Sequence, residues 1–103
     1  LSGGEKQMLS LARAFLKKPE IYIFDEPLSS IDSKSSDYIR QSIRNLIPHS
    51  TVILISHNPL IIELVDKVVM LSCGSVVETG SPEELISKKG HFYNLFYNNR
   101  RNI

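Results

Sequence analysis

Ile21-Tyr22-Ile23-Phe24-Asp25-Glu26-Pro27 sets the architecture of this chain. The apolar run, rich in β-branched and aromatic residues, is too short for a helix and reads as a strand buried on both faces. Two carboxylates end it abruptly, and Pro27 opens a polar loop that reaches Ser33. Thr51-Val52-Ile53-Leu54-Ile55 repeats the pattern as a second buried strand, ended by Ser56-His57.

Helices flank these strands. Ser2-Gly3-Gly4-Glu5 has the form of a capping box, which predicts a helix from Gly3 to Lys17. Met8, Leu11, Ala12, Phe15 and Leu16 mark its apolar stripe, Lys17 and Lys18 complement its dipole, and Pro19 stops it. Ile39, Ile43, Leu46 and Ile47 predict a second helix over Lys34 to Leu46, and a short one follows Pro59. Lys67 to Ser72 and Ser75 to Glu78 are β-rich runs around Cys73-Gly74, the pattern of a hairpin. Ser81-Pro82-Glu83-Glu84 opens another helix with its own capping box. Phe92, Tyr93, Leu95, Phe96 and Tyr97 predict a last amphipathic helix. Strands alternating with helices give an α/β chain with parallel strands.

Composition excludes several classes. The 103 residues are 42% hydrophobic and carry a net charge of +1, which fits one folded domain and not a disordered chain. Twelve basic residues against eleven acidic ones leave no excess for duplex binding by bulk charge, so no nucleic acid is expected. A single cysteine, Cys73, rules out a disulfide framework. The stretch from Asn45 to Ile62 lacks charged residues, but Pro48, His49, His57, Asn58 and Pro59 interrupt it as a membrane span. The chain starts at Leu1, without an initiating Met, like a piece of a longer protein.

The chemistry gathers where strands stop. In open α/β sheets, ligands bind beyond the carboxyl ends of the strands. Adjacent carboxylates at such an edge repel unless a cation or proton intervenes. A divalent metal on Asp25 meets that need and leaves Glu26 free to orient or deprotonate a water; alternatively, both residues only cap the following loop. Ser2-Gly3-Gly4 reads either as a plain helix start or as a phosphate cradle, since glycines admit an anion close to oriented N–H donors. His49 and His91 carry no such context.

The order Leu1-Ser2-Gly3-Gly4-Glu5, strand ending Asp25-Glu26-Pro27, Ser30-Ile31-Asp32 and strand ending Ser56-His57 resembles the ATP-binding cassette (ABC) ATPases over almost the whole chain. Leu1 to Gln7 looks like the ABC signature, Ile21 to Asp25 like the Walker B strand, Ser30 to Asp32 like the D-loop, and Ser56-His57 like the switch-histidine motif. The resemblance implies a P-loop NTPase-like parallel sheet with flanking helices, ending in a β-hairpin and helices. It implies that Asp25 holds Mg²⁺ through water, that Glu26 is the general base, and that His57 contacts the γ-phosphate of ATP. Ser2, Gly3, Gly4, Gln7 and Asp32 would supply ATP-phosphate and cross-dimer contacts in a head-to-tail pair with a second nucleotide-binding domain. Glu5 replaces the commoner Gln, Met8 the frequent Arg, and Ser30-Ile31 the frequent Ala-Leu. No Gly-x-x-x-x-Gly-Lys-Ser/Thr run occurs, so the Walker A half is absent from this sequence. The expected division is residues 1–18 for the signature helix, 19–66 for Walker B, D-loop and switch histidine, and 67–103 for the C-terminal hairpin and helices.

Asp25-Glu26-Pro27 and the stretch Asp66 to Leu85 resemble transporter ATPases, which implies transmembrane domains as partners and a place at the cytoplasmic face of a membrane. The competing readings are an ABC-type ATPase of DNA repair or chromosome maintenance, and an inactive truncated cassette. Gly90-His91-Phe92-Tyr93-x-Leu95 resembles exporter cassettes, whereas Asp25-Glu26-Pro27 and Gly80-Ser81-Pro82 are more usual in separate importer subunits; the balance leans to an exporter. The 103 residues alone are expected to hydrolyse no ATP.

Overall fold

The computed structural model describes residues 3–98. It is an α/β structure with two two-stranded sheets, and its contacts divide into two compact units between Ile61 and Ile62.

The first unit opens with helix α1 (Gly3–Lys17), followed by strand β1 (Ile21–Asp25), helix α2 (Ser33–Leu46) and strand β2 (Thr51–Ile55). The capping box expected of Ser2 lies outside the described residues. At the other end of α1, Lys18 takes a left-handed φ of 51°, the usual cap conformation, just before Pro19. Leu11 is buried, with Met8 and Phe15 half-buried beside it, while Leu16 is 81% exposed and Ala12 is exposed too. The expected stripe was too wide: at 3.6 residues per turn, Ala12 and Leu16 lie about 40° and 80° round from Met8. Phe15 packs on Phe24 of β1, ring centroids 5.8 Å apart.

β1 and β2 pair in parallel, Ile21 opposite Thr51 through Asp25 opposite Ile55. This register brings both polar strand ends to the same rim. Tyr22 and Phe24 are buried, and α2 packs against β2 with Ile39 and Ile43 inside. The other sheet face corrects the expectation of strands buried on both sides: Ile21, Ile23, Ile53 and Ile55 are all exposed, Ile23 to 66%. A parallel sheet needs a covering layer on each face, and among the described residues this face has none.

A 3₁₀ helix, Pro59–Leu64, leads on, its start capped by Asn58 Oδ1, which accepts from Leu60 N at 2.9 Å. In the second unit, β3 (Val68–Ser72) and β4 (Ser75–Gly80) form the expected antiparallel hairpin. Its two turn residues, Cys73 and Gly74, both have left-handed φ values, 50° and 79°, matching the strand twist. Helix α3 (Pro82–Lys88) follows. The expected last helix is present, with Tyr93–Asn98 in π-helical geometry. Two ring pairs form here, Phe92 with Phe96 and Tyr93 with Tyr97, each 5.1 Å apart. Leu85, Phe92 and Phe96 form the core here, packed by Ile62, Val68, Met70 and Ile86.

The capping box of α3 makes its stability pH-dependent. Glu84 Oε1 accepts from Ser81 N at 3.0 Å, and Ser81 Oγ accepts from Glu84 N at 3.1 Å. The Ser81 backbone N–H, and then its hydroxyl, hold the Glu84 carboxyl below its ordinary value. A carboxyl with a lowered folded pKa contributes fully above its unfolded value and loses the contribution as pH falls through the folded one. Amide-exchange protection of α3 is therefore expected to drop on acidification through that range in the native protein but not in Glu84→Gln. Parallel pH profiles in the two would remove the box from this role.

Candidate functional site

The parallel register fixes where the rim chemistry can meet. Glu26 N donates to Ile55 O at 2.7 Å, extending the β1–β2 ladder by one bond past the end of β1. The Glu26 side chain thereby lies beside the residues that follow β2. Ser56 Oγ donates to Glu26 Oε2 at 3.2 Å, and His57 Nδ1 lies 2.8 Å from Glu26 Oε1. Ser56 Oγ also accepts from Asn58 N at 3.0 Å, which turns the chain off the strand and sets the His57 ring toward the carboxylate. The Glu26 side chain is two-thirds buried and that of His57 is 83% exposed, so one partner is anchored and the other reaches outward. Facing a carboxylate oxygen, Nδ1 is the ring's donor, and a neutral ring then has its acceptor at Nε2.

The backbone of Glu26 is unusual. Its φ is 51°, left-handed for a residue that is not glycine and precedes a proline. Its carbonyl accepts from Ser29 N at 3.2 Å and from Gln7 Nε2 of α1 at 2.9 Å, and Ser29 Oγ donates to Gln7 Oε1 at 3.4 Å. Gln7, grouped with phosphate contacts on the sequence, thus has its amide on the Glu26 turn.

Asp25 is exposed at the end of β1 and lines a shallow cavity of about 280 Å³ with Gln7, Ser10, Glu26 and Ser29. Among the described residues no three His, Cys, Asp or Glu side chains gather as a metal cage. That donor set fits Mg²⁺, which commonly binds through one or two carboxylates, water and substrate phosphates, and does not fit a metal held by protein alone.

A second, open groove of about 840 Å³ lies at the start of α1, bounded by Gly3, Gly4, Ser30, Ile31 and Asp32. It joins the signature-like and D-loop-like stretches on one surface. Ser2 is outside the described residues. A Cβ added at Gly3 would meet nothing within 4 Å, so the fold itself makes no demand for glycine there. Asp32 is the N-cap of α2, its Oδ2 accepting from Ser35 N at 3.3 Å. The Ser35 side chain first, and then this backbone N–H, hold the Asp32 carboxyl below its ordinary value.

Glu26, Ser56 and His57 thus form one cluster with Asp25 and Gln7 beside it, while Gly3, Gly4 and Asp32 form another. Ser56 and Ser29 had no site role on the sequence alone. Ser56 could have been found from its place before His57 at the strand end; Ser29 carries no signal except its distance from Glu26.

Comparison with known proteins agrees with this geometry. The family model described as ABC transporter matches residues 1–29. ABC transporter B family member 14 of Arabidopsis thaliana is 43% identical over 92% of this chain, which spans 8% of that protein. The ATP-dependent lipid A-core flippase of Alkalilimnicola ehrlichii is 41% identical over 92% of this chain and 16% of its own length. Among solved structures, a bacterial Atm1-family ABC exporter with ATP bound matches 96% of this chain and 17% of its own, with a TM-score of 0.85 at 32% identity. The sequence order of the two strand ends, their pairing in one rim and these likenesses converge: the chain belongs to the ABC transporter family and spans part of its ATPase domain.

Proposed function

We propose that this chain forms the hydrolytic rim of an ATP-driven membrane exporter. The observation that carries the reading is the Glu26 carboxylate, held at the common end of β1 and β2 by Ser56 and His57 beside the exposed Asp25. Glu26 acts as general base: its two oxygens each accept one bond and keep lone pairs for the proton of an attacking water. Asp25 would hold Mg²⁺ through water, and the ion bound there would supply positive charge against that developing on the phosphates. His57 reaches the γ-phosphate with the Nε2 edge, which donates only when the ring is protonated, since Nδ1 is committed to Glu26.

The α1 start, Ser2, Gly3 and Gly4, meets the γ-phosphate of ATP held by a second cassette in a head-to-tail pair, and Asp32 couples the two sites. The parent sheet is of the P-loop NTPase kind. Residues 1–18 serve as signature helix, 19–66 as the Walker B, D-loop and switch-histidine region, and 67–103 as the C-terminal hairpin and helices. Transmembrane domains are the partners, which places the cassette at the cytoplasmic face of a membrane. Among the described residues no helix is long and apolar enough to cross one. The names of the relatives, a flippase and an exporter among them, support export. The 103 residues alone turn over no ATP, because the sequence contains no lysine-bearing phosphate loop.

The α1 glycines test the cradle. With open space at Gly3, Gly3→Ala is expected to keep or raise the thermal midpoint, since glycine in a helix costs about 0.5–1 kcal/mol relative to alanine. Gly4→Asp adds a negative charge where a phosphate must approach. In the full-length protein both weaken ATP-driven pairing of cassettes, Gly4→Asp by about tenfold or more, equivalent to about 1.4 kcal/mol. Pairing unchanged in both variants, followed by light scattering, would refute the cradle.

A further inference from the structure

We propose that Gln7 is a positioning residue for the Glu26 carboxylate. The proposal rests on the reading of Glu26 as general base. Two local preferences oppose the backbone at Glu26: a side chain disfavours its φ of 51°, and the following Pro27 pushes it toward extended geometry. Such a conformation persists only where its surroundings over-determine it. Three bonds do so here. Ile55 O of β2 takes the Glu26 N–H, Ser29 N closes the turn onto the Glu26 carbonyl, and Gln7 Nε2 reaches the same carbonyl from α1. Of the three, only the Gln7 bond comes from a side chain, so it alone can be removed by substitution without altering the ladder or the turn.

The amide of Gln7 is itself oriented. Ser29 Oγ donates to Oε1, which turns the NH₂ group toward Glu26. Without that donor, the Glu26 carbonyl keeps only its turn partner, and the residue can relax toward the extended region its neighbours favour. Relaxation swings the side chain away from Ser56 and His57. Gln7 also stands one turn beyond Gly3 and Gly4, so α1 connects the groove at its start to the backbone of Glu26 through one side chain. A ligand drawing on the start of α1 therefore bears on the base at the rim.

The experiment uses the full-length protein with Gln7→Leu, Ser29→Ala and, as reference, Glu26→Gln. Each variant is measured for ATP turnover, equilibrium ATP affinity, thermal midpoint and the Glu26–His57 separation in a cryo-electron-microscopy structure. Expected for Gln7→Leu is a fall in kcat of about 10²-fold, the scale of a displacement near 1 Å, with ATP affinity and midpoint held and the carboxylate withdrawn from His57. Ser29→Ala gives a smaller fall of the same kind. Wild-type kcat in Gln7→Leu, with turnover abolished in Glu26→Gln, overturns the positioning role and leaves Glu26 as base. Turnover preserved in Glu26→Gln overturns the base itself. A Gln7→Leu variant that loses midpoint and affinity together, beside an unaffected Ser29→Ala, makes Gln7 a packing residue and overturns the proposal.

Discussion

Glu26→Gln, in the full-length protein that contains this chain, is expected to lower steady-state ATP hydrolysis by about 10²- to 10⁴-fold, the usual contribution of a general base, and to leave nucleotide binding intact. The substitution isolates basicity because the local geometry tolerates it. The amide oxygen still accepts from His57 Nδ1, and the amide NH₂ donates to Ser56 Oγ, whose hydroxyl turns to accommodate it. The backbone bonds to Ile55, Ser29 and Gln7 are untouched. What disappears is the ability to take a proton from water. Phosphate release measured beside a nucleotide-binding titration separates the two effects. Turnover near the native rate would take Glu26 out of the reaction, and a parallel loss of affinity would mean that the residue holds nucleotide rather than activating water.

The same cluster shows what the amino-acid order could and could not reveal. Two apolar runs that stop at Asp25-Glu26 and Ser56-His57 announce parallel strands with polar residues at their ends, and β1 and β2 pair in parallel with those ends on one rim. A continuous apolar run says strand, but not which face finds cover, and Ile23 and Ile53 turned out to face outward. Glu26 before Pro27 suggests extended backbone; two of the three bonds around its left-handed φ reach residues far away in sequence, Gln7 and Ile55, which no local preference encodes. The same holds for Gln7. Its place in a signature-like stretch implies a phosphate contact, and nothing in that stretch announces its hydrogen bond to a carbonyl nineteen positions on, which depends on how α1 lies against the β1 turn. Capping signals fared better, because they are local: Ser81-Pro82-Glu83-Glu84 forms the box its spacing implies. Glu78 was legible only as the end of a strand run, yet its Oε1 accepts from Phe92 N at 2.7 Å.

That last contact identifies the residue on which the second unit most depends. Phe92→Ala is expected to destabilise the unit by about 3–5 kcal/mol, the range for emptying a buried phenylalanine site. Phe92 is 1% exposed and packs with Leu85 and Phe96, so the ring's volume becomes a cavity rather than a solvated dent. Collapse to fill it is resisted on two sides. The Phe92 N–H is tied to Glu78 of β4, and that carboxylate lies so close to Gly90 that a Cβ there would sit 2.5 Å from Oε2. Against a domain stability of about 5–15 kcal/mol, such a loss is enough to make the hairpin and its helices open locally. Hydrogen exchange in the full-length protein reads this directly: the amides of Val68–Ser72 and Ser75–Gly80 lose protection. Phe92→Leu, which keeps most of the apolar volume, is expected to lose markedly less. Equal protection in Phe92→Ala and the native protein would show that the ring is not what holds the hairpin to its helices.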